Sequence, residues 1–142
     1  MIVVPPALLD EIERAAAAAY PDESCGLLIG ADVPNGDIAV ARAVVSPNVS
    51  AGDTRDSFEV DPKIRFDTMR ALQGTNERIV GHFHSHPDGP AQPSERDRAQ
   101  AWEPELVWLI TAVTETGPAE TAAFRLDSGT GHFMAVGLRR HA

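Results

Sequence analysis

Residues 78–86 read Arg-Ile-Val-Gly-His-Phe-His-Ser-His, with Pro87 next. As a strand, this run alternates its side chains between two faces, so His82, His84 and His86 share one face. Histidines at i and i+2 stand ~6.6 Å apart along a strand, and both imidazoles can lean onto one ion through bonds of ~2.0–2.1 Å. His82 and His86 are separated by ~13 Å of strand, too far for one tetrahedral ion to take all three. A third ligand must come from elsewhere. Pro87 cannot continue the strand as a ladder donor. Asp88-Gly89-Pro90 signals a turn, and Pro93-Ser94 reads as a helix start. On that helix Ser94 and Asp97 sit at i and i+3, on one face of the first turn, from which a hydroxyl and a carboxylate can swing toward the histidines. Two imidazoles and one carboxylate leave a fourth position open for water, the pattern of a catalytic zinc site.

Each half of this pattern is weak alone. Alternating histidines on a strand are more often structural than ligating, and Ser-x-x-Asp is more often a helix-capping box than a ligand pair. The conjunction carries the weight, because turn, helix start and carboxylate follow directly on the histidines. His84-Ser85-His86-Pro87, six residues, then Ser94-x-x-Asp97 resembles the signature of the JAMM (MPN-plus) zinc isopeptidases, in a minimal prokaryote-type form. A weaker similarity runs from about Pro5 to Leu126. The family also carries an upstream glutamate, and Glu23-Ser-Cys-Gly-Leu-Leu28 looks like that segment. No spacing rule selects Glu23 from the residues alone; its role is implied by the resemblance. His82 departs from the family pattern, which commonly has an aromatic or aliphatic residue there. The large insertions of chain-specific deubiquitinases have no room here.

A chain of 142 residues suits one domain, taken as 1–142, with a substantial core. The formal net charge of −9 argues against a general nucleic-acid or anionic-membrane binder and serves solubility, while also suiting a substrate with a basic face. Cys25 is the single cysteine, so no intrachain disulfide can form, and no twenty-residue apolar span or signal-like N-terminus is present. A cytoplasmic protein is expected.

In chain order, Ile2–Val4 reads as a short strand. Pro5-Pro6 opens a helix whose Leu8, Leu9, Ile12, Ala15, Ala16 and Ala19 share a face, ending at Tyr20-Pro21. Cys25–Gly30 reads as a buried strand, with Cys25 a small core residue rather than a nucleophile. A turn at Asp32–Asp37 precedes a strand at Ile38–Val45, with Ile38, Val40 and Val44 on a shared parity. Pro47–Asp56 is a polar loop, the kind that carries substrate contacts or acts as a lid. Its Asn48 is a turn residue or an orienting group near the site. Phe58 and Val60 suggest a short strand. Asp61-Pro62 starts a helix through about Gln73, with Ile64, Phe66, Met69 and Leu72 as its apolar positions and Gly74 as a stop. Ser94 to about Trp102 is the helix behind Asp97, and Leu106–Val113 a central strand. Thr114–Glu120 reads as a turn, and Thr121–Leu126 and His132–Leu138 as the last strands. Trp102 and Trp108 read as packing residues, and His132 and His141 as surface residues. Mixed helices and strands imply an α/β layered domain. The resemblance implies a curved mixed β-sheet flanked by helices, similar to the cytidine-deaminase-like architecture.

By that resemblance, His84, His86 and Asp97 hold one Zn2+ per chain, Glu23 moves the proton of the attacking water, and Ser94 steadies the developing oxyanion. The implied reaction is hydrolysis of the amide or isopeptide bond after the C-terminal Gly-Gly of a ubiquitin-like or sulfur-carrier protein, a small β-grasp partner. Rival readings are a non-catalytic MPN-type protein-binding module, a structural metal site and a general zinc metallopeptidase. A zinc nucleobase deaminase is disfavoured, because the His-x-Glu and Pro-Cys-x-x-Cys elements are absent.

Overall fold

The computed structural model describes residues 1–100, 106–127 and 129–140. Eleven elements follow one another: β1 (Ile2–Val4), α1 (Pro6–Ala19), β2 (Cys25–Asp32), β3 (Ile38–Ser46), α2 (Pro62–Leu72), β4 (Arg78–Pro87), α3 (Glu95–Gln100), β5 (Val107–Thr114), β6 (Gly117–Leu126), β7 (Phe133–Val136) and β8 (Leu138–Arg140). The eight strands form one mixed sheet in the order β7-β6-β5-β4-β2-β3-β1-β8. β4 runs parallel to β5, and β1 parallel to both β3 and β8; the other pairs are antiparallel. The expected curved mixed α/β sheet is what forms. Trp102 and His141 lie outside the described residues.

Two cores sit on the two faces of the sheet. One face is covered by α1, whose Leu8, Leu9, Ile12 and Ala16 are buried as their helical spacing dictates. They pack with Ile2, Val4, Leu28, Ile38, Val40, Val80, Phe83, Val107 and Leu109. Truncating Leu9 there should cost about 2–5 kcal/mol. The other face gathers Cys25, Leu27, Phe58, Val60, Trp108, Ile110 and Phe124 beneath the segment between β3 and α2. Gly26 leaves room for the Phe83 ring across the sheet, since a Cβ there would run into that ring and the Val44 carbonyl oxygen.

Four expectations are corrected. Val44 does not share a face with Ile38 and Val40: the β2–β3 register shifts between Ile29 and Gly30, leaving Ala41 as an extra residue, so Val44 turns to the second core. Phe58 and Val60 form no strand; a single bridge between Asn48 and Val60 stands there, and both side chains are buried. The turn expected over Thr114–Glu120 is confined to Glu115 and Thr116, with β6 already paired from Gly117, whose φ of 122° favours glycine. Finally, His132–Leu138 is not one strand. β7 pairs with β6 at one edge of the sheet, and β8, resuming one residue later, pairs with β1 at the other. Joining the two edges through Gly137 obliges the sheet to curl until it is nearly closed. Helix α2 starts where expected, with the Asp61 carboxylate accepting from the Lys63 backbone N–H. Of its apolar positions Leu72 is buried and Ile64 packs against the second core, but Phe66 and Met69 are exposed.

Candidate metal centre

β4 carries His82, His84 and His86 toward the second core, as the alternation requires. Pro87 still pairs in register with Val113, and Asp88 then turns the chain with a φ of 59°. The Asp88 N–H donates to the Val113 carbonyl, and the Tyr20 hydroxyl is 2.9 and 2.7 Å from the two Asp88 carboxylate oxygens. This fixes the path of the loop that leads into α3. There the Asp97 N–H donates to Ser94 Oγ at 3.1 Å, and the Ser94 N–H donates to Asp97 Oδ2 at 2.9 Å. Ser94 and Asp97 are therefore a capping pair and a site pair at once. The cap holds the carboxylate still where the histidines meet it.

Three ligand atoms converge. His84 Nε2 and His86 Nε2 are 3.1 Å apart, and the Asp97 carboxylate lies 3.2 Å from the first and 3.0 Å from the second. All three residues are buried. Around a tetrahedral ion with bonds of ~2.0–2.1 Å, ligands sit about 3.3 Å from one another, so the donor set fits a metal. Proton accounting agrees. His86 Nδ1 lies 2.9 Å from the Pro90 carbonyl, which can only accept, so Nδ1 carries the proton and Nε2 presents a lone pair. A lone pair and a carboxylate facing each other at 3.0 Å need a proton or a metal ion between them. Burial works against ionisation of Asp97, but the hydrogen bonds with His84 and His86 hold its pKa well below the usual carboxylate range. Burial likewise opposes charge on both imidazoles: it lowers the pKa of His84, whereas for His86 the Asp97 carboxylate and the Pro90 carbonyl outweigh it and the pKa rises.

His82 is not part of this cluster. Its ring lies 4.2 Å from Trp108 and 5.6 Å from Phe58, and burial pushes its pKa down to about 3, so it is a neutral packing residue. Trp108 packs edge-on to His82 and Phe133, as expected of a core residue, and His132 is exposed. Cys25 is buried, and burial pushes its thiol up to about 12, which removes it as a nucleophile at neutral pH.

Glu23 reaches the site through strand pairing. Cys25 on β2 is opposite His84 on β4, the Ser85 N–H donates to the Ser24 carbonyl, and the Ser24 N–H donates to Ser85 Oγ. Continuing this register sets Glu23 beside His86. It is 4 % exposed, and its Oε1 has no hydrogen-bond partner. Burial raises its pKa to about 8; the charge of His86 opposes the rise, Asp97 and Asp56 add to it, and Arg96 opposes it.

Two further residues, Phe58 and Asn48, are brought to the site by the fold. The Phe58 ring stacks on His84 at 4.3 Å and 17°, filling the side of an imidazole whose Nδ1 has no partner. Asn48 proves to be more than a turn residue: its amide donates to the carbonyls of Glu23 and Ser57, while its oxygen accepts from the N–H groups of Ser50 and Glu59. The Thr54 carbonyl accepts from the Glu23 N–H at 2.7 Å. The polar segment from Pro47 to Asp61 is thus tied down rather than built as a free lid.

Comparison with known proteins gives the family and the fold. The family described as prokaryotic homologs of the JAB domain matches residues 5–127. A protein of Haloferax volcanii named desampylase is 31 % identical over 103 residues, covering 72 % of this chain and 71 % of that protein. A protein of Mycobacterium tuberculosis named CysO-cysteine peptidase is 26 % identical over 132 residues, covering 91 % and 85 %. The solution structure of a Desulfitobacterium hafniense protein superposes with a TM-score of 0.82 at 26 % identity, covering 99 % of this chain and 94 % of that one.

Proposed function

Because the chain belongs to the family of prokaryotic JAB-domain homologues, we propose that it is a zinc-dependent hydrolase that cuts the amide bond after the C-terminal Gly-Gly of a small ubiquitin-like or sulfur-carrier protein. Residues 1–142 act as one catalytic domain. The relatives named desampylase and CysO-cysteine peptidase support the reaction class. The observation that carries it is the convergence of His84, His86 and Asp97, with Glu23 set beside His86 by strand register and its Oε1 without a hydrogen-bond partner. A lone, buried cysteine suits a reducing cytoplasm. Among the described residues no helix is long and apolar enough to cross a membrane.

His84, His86 and Asp97 would hold the ion, with Glu23 outside the ligand set. A zinc ion there would supply a Lewis acid for the scissile carbonyl and would lower the pKa of a water to about 7. Glu23 takes one proton from the attacking water. The water's oxygen bonds to the glycine carbonyl carbon, the carbon–nitrogen bond breaks, and Glu23 returns the proton to the leaving amine. Burial raises the Glu23 pKa in the metal-free fold, and a cation held beside it would draw that pKa back down, leaving a carboxylate able to take a proton and return it. Ser94 Oγ accepts from the Asp97 N–H, so its own O–H remains to donate to the oxyanion, an interaction worth about 3 kcal/mol when preorganised. The substrate tail cannot add to the sheet beside the ligands, since β4 is flanked by β2 and β5. It lies instead across the mouth between the Pro47–Asp61 segment and α3, where glycines let its backbone come close.

The test is a panel of β-grasp proteins, each fused through its Gly-Gly to a reporter peptide. Cleavage at that bond, sensitive to chelator and lost in Glu23→Gln, is expected. Degradation of unrelated unfolded peptides with no fusion cut would make the chain a general metallopeptidase. Protein that takes up no zinc would make it a binding module.

A further inference from the structure

The proposed reaction leaves its second product, the departing amine, open. That amine must stand next to Glu23, because Glu23 returns its proton. Glu23 is pinned from one side by Asn48 and Thr54. From the other side comes Arg96, in the first turn of α3 directly before Asp97. Its Nη2 lies 3.7 Å from Asp56 Oδ2, and its Nη1 lies 3.6 Å from where a Cβ on Gly52 would sit. The guanidinium therefore reaches from α3 to residues 52 and 56 of the segment whose Asn48 and Thr54 hold Glu23, and its charge favours the ionised form of Glu23. Both members of the Arg96–Asp56 pair are more than half exposed, and 3.7 Å is too long for a hydrogen bond. Such a pair contributes little to stability, so the guanidinium is free to exchange Asp56 for another carboxylate. Of the side chains whose charges act on Glu23, Asp56 and Asp97 are acidic, and Arg96 is the basic one that is not part of the metal centre.

We propose that Arg96 is a specificity-determining residue that binds the α-carboxylate of the leaving group, so that the preferred conjugates carry a single free amino acid joined through its α-amine to the Gly-Gly tail. This rests on the hydrolase reading above. In such a conjugate the carboxylate is one carbon from the departing nitrogen, within reach of a group that flanks Glu23, and a guanidinium can grip it through two parallel hydrogen bonds. A lysine side-chain conjugate places its backbone at the far end of the stem and offers an amide carbonyl there instead of an anion.

The experiment compares two conjugates of one Gly-Gly-tailed β-grasp protein, one ending in alanine with a free carboxylate and the other in alanine carboxamide. The zinc-loaded protein should prefer the acid by about 10- to 100-fold in kcat/KM, mainly through KM, as charge-assisted hydrogen bonds allow. In Arg96→Ala the ratio should fall toward one, and in Arg96→Lys it should be intermediate. Calorimetry of the uncleaved conjugates on zinc-loaded Glu23→Gln, with and without Arg96→Ala, reads the same preference as affinity. A wild-type protein indifferent to the carboxylate, or an Arg96→Ala variant that keeps the full preference, overturns the assignment of Arg96. Failure to cleave any Gly-Gly conjugate, lysine-linked ones included, overturns the hydrolase reading instead, and the calorimetry then decides for or against Arg96.

Discussion

Replacing Glu23 with glutamine should stabilise the chelator-treated protein, and by an amount that depends on pH. Folding moves this carboxyl from 4.5 to about 8, chiefly through burial. A raised carboxylate pKa means that the fold holds the proton more tightly than the unfolded chain does. Below pH 4.5 both states are protonated and the shift has no effect on stability. As pH rises toward 8, the unfolded chain releases its proton while the fold retains it, and stability falls by about 1.4 kcal/mol per pH unit. Above 8 both states are ionised and the slope ends. Between pH 5 and pH 7 the accumulated loss is ~2.5 kcal/mol, a Tm difference of roughly 8 °C for a chain of this size. Asp97, His84 and His86 also titrate differently on folding, but they are present in both proteins and largely cancel in the comparison. Glutamine keeps the shape and cannot ionise. Urea unfolding of wild type and Glu23→Gln at pH 5, 6, 7 and 8 should show a gap that widens and then levels. A gap that is the same at every pH would refute the reasoning, since it would mean that Glu23 is no more protonated in the fold than out of it.

Three further outcomes follow from the site. Metal analysis after zinc reconstitution should find one zinc per chain, and Asp97→Asn should fall well below that by weakening both the ligand and the cap. Phe58→Ala should cost about 3–5 kcal/mol in chemical denaturation, because it opens a cavity against His84, and should speed zinc loss to a competing chelator; Phe58→Leu should do less of both. His82→Phe should keep its zinc and remain within about 1 kcal/mol of wild type, since the gain from removing a buried ring nitrogen without a partner offsets tighter packing. Loss of metal in that variant would put His82 in the ligand set.

What could be read from the sequence was what is local. The α1 face is written in one helical period. His84, His86, Ser94 and Asp97 lie within a single turn-linked stretch, so strand alternation and helix spacing bring them together without knowledge of the fold. Glu23 is remote from them, and the antiparallel pairing of β2 with β4 is a long-range event that no periodicity announces; only the family resemblance pointed to it. The extra residue at Ala41 was invisible because a bulge changes parity without a marker in residue type. Phe58 escaped because its partner is an imidazole, which hydrophobic pattern does not count. Asn48 was seen as a polar loop residue, but its four hydrogen bonds depend on where Glu23, Ser57 and Glu59 are carried by the rest of the chain.

The split of the final segment around Gly137 bears on how the chain folds. Pairing Ile2–Val4 with Leu138–Arg140 joins the two ends of nearly the whole sequence. Closing that loop directly from a random coil would cost upwards of ~4 kcal/mol in chain entropy, before any contact rewards it. The hairpins β2–β3 and β5–β6 form from near neighbours, and each one shortens the effective loop. The seam between β1 and β8 is thus expected to zip last and open first, with the strands that carry the ligands already assembled. In hydrogen exchange, the amides of β8 should exchange through small openings, while those of β4 and β5 should exchange only when the whole sheet comes apart.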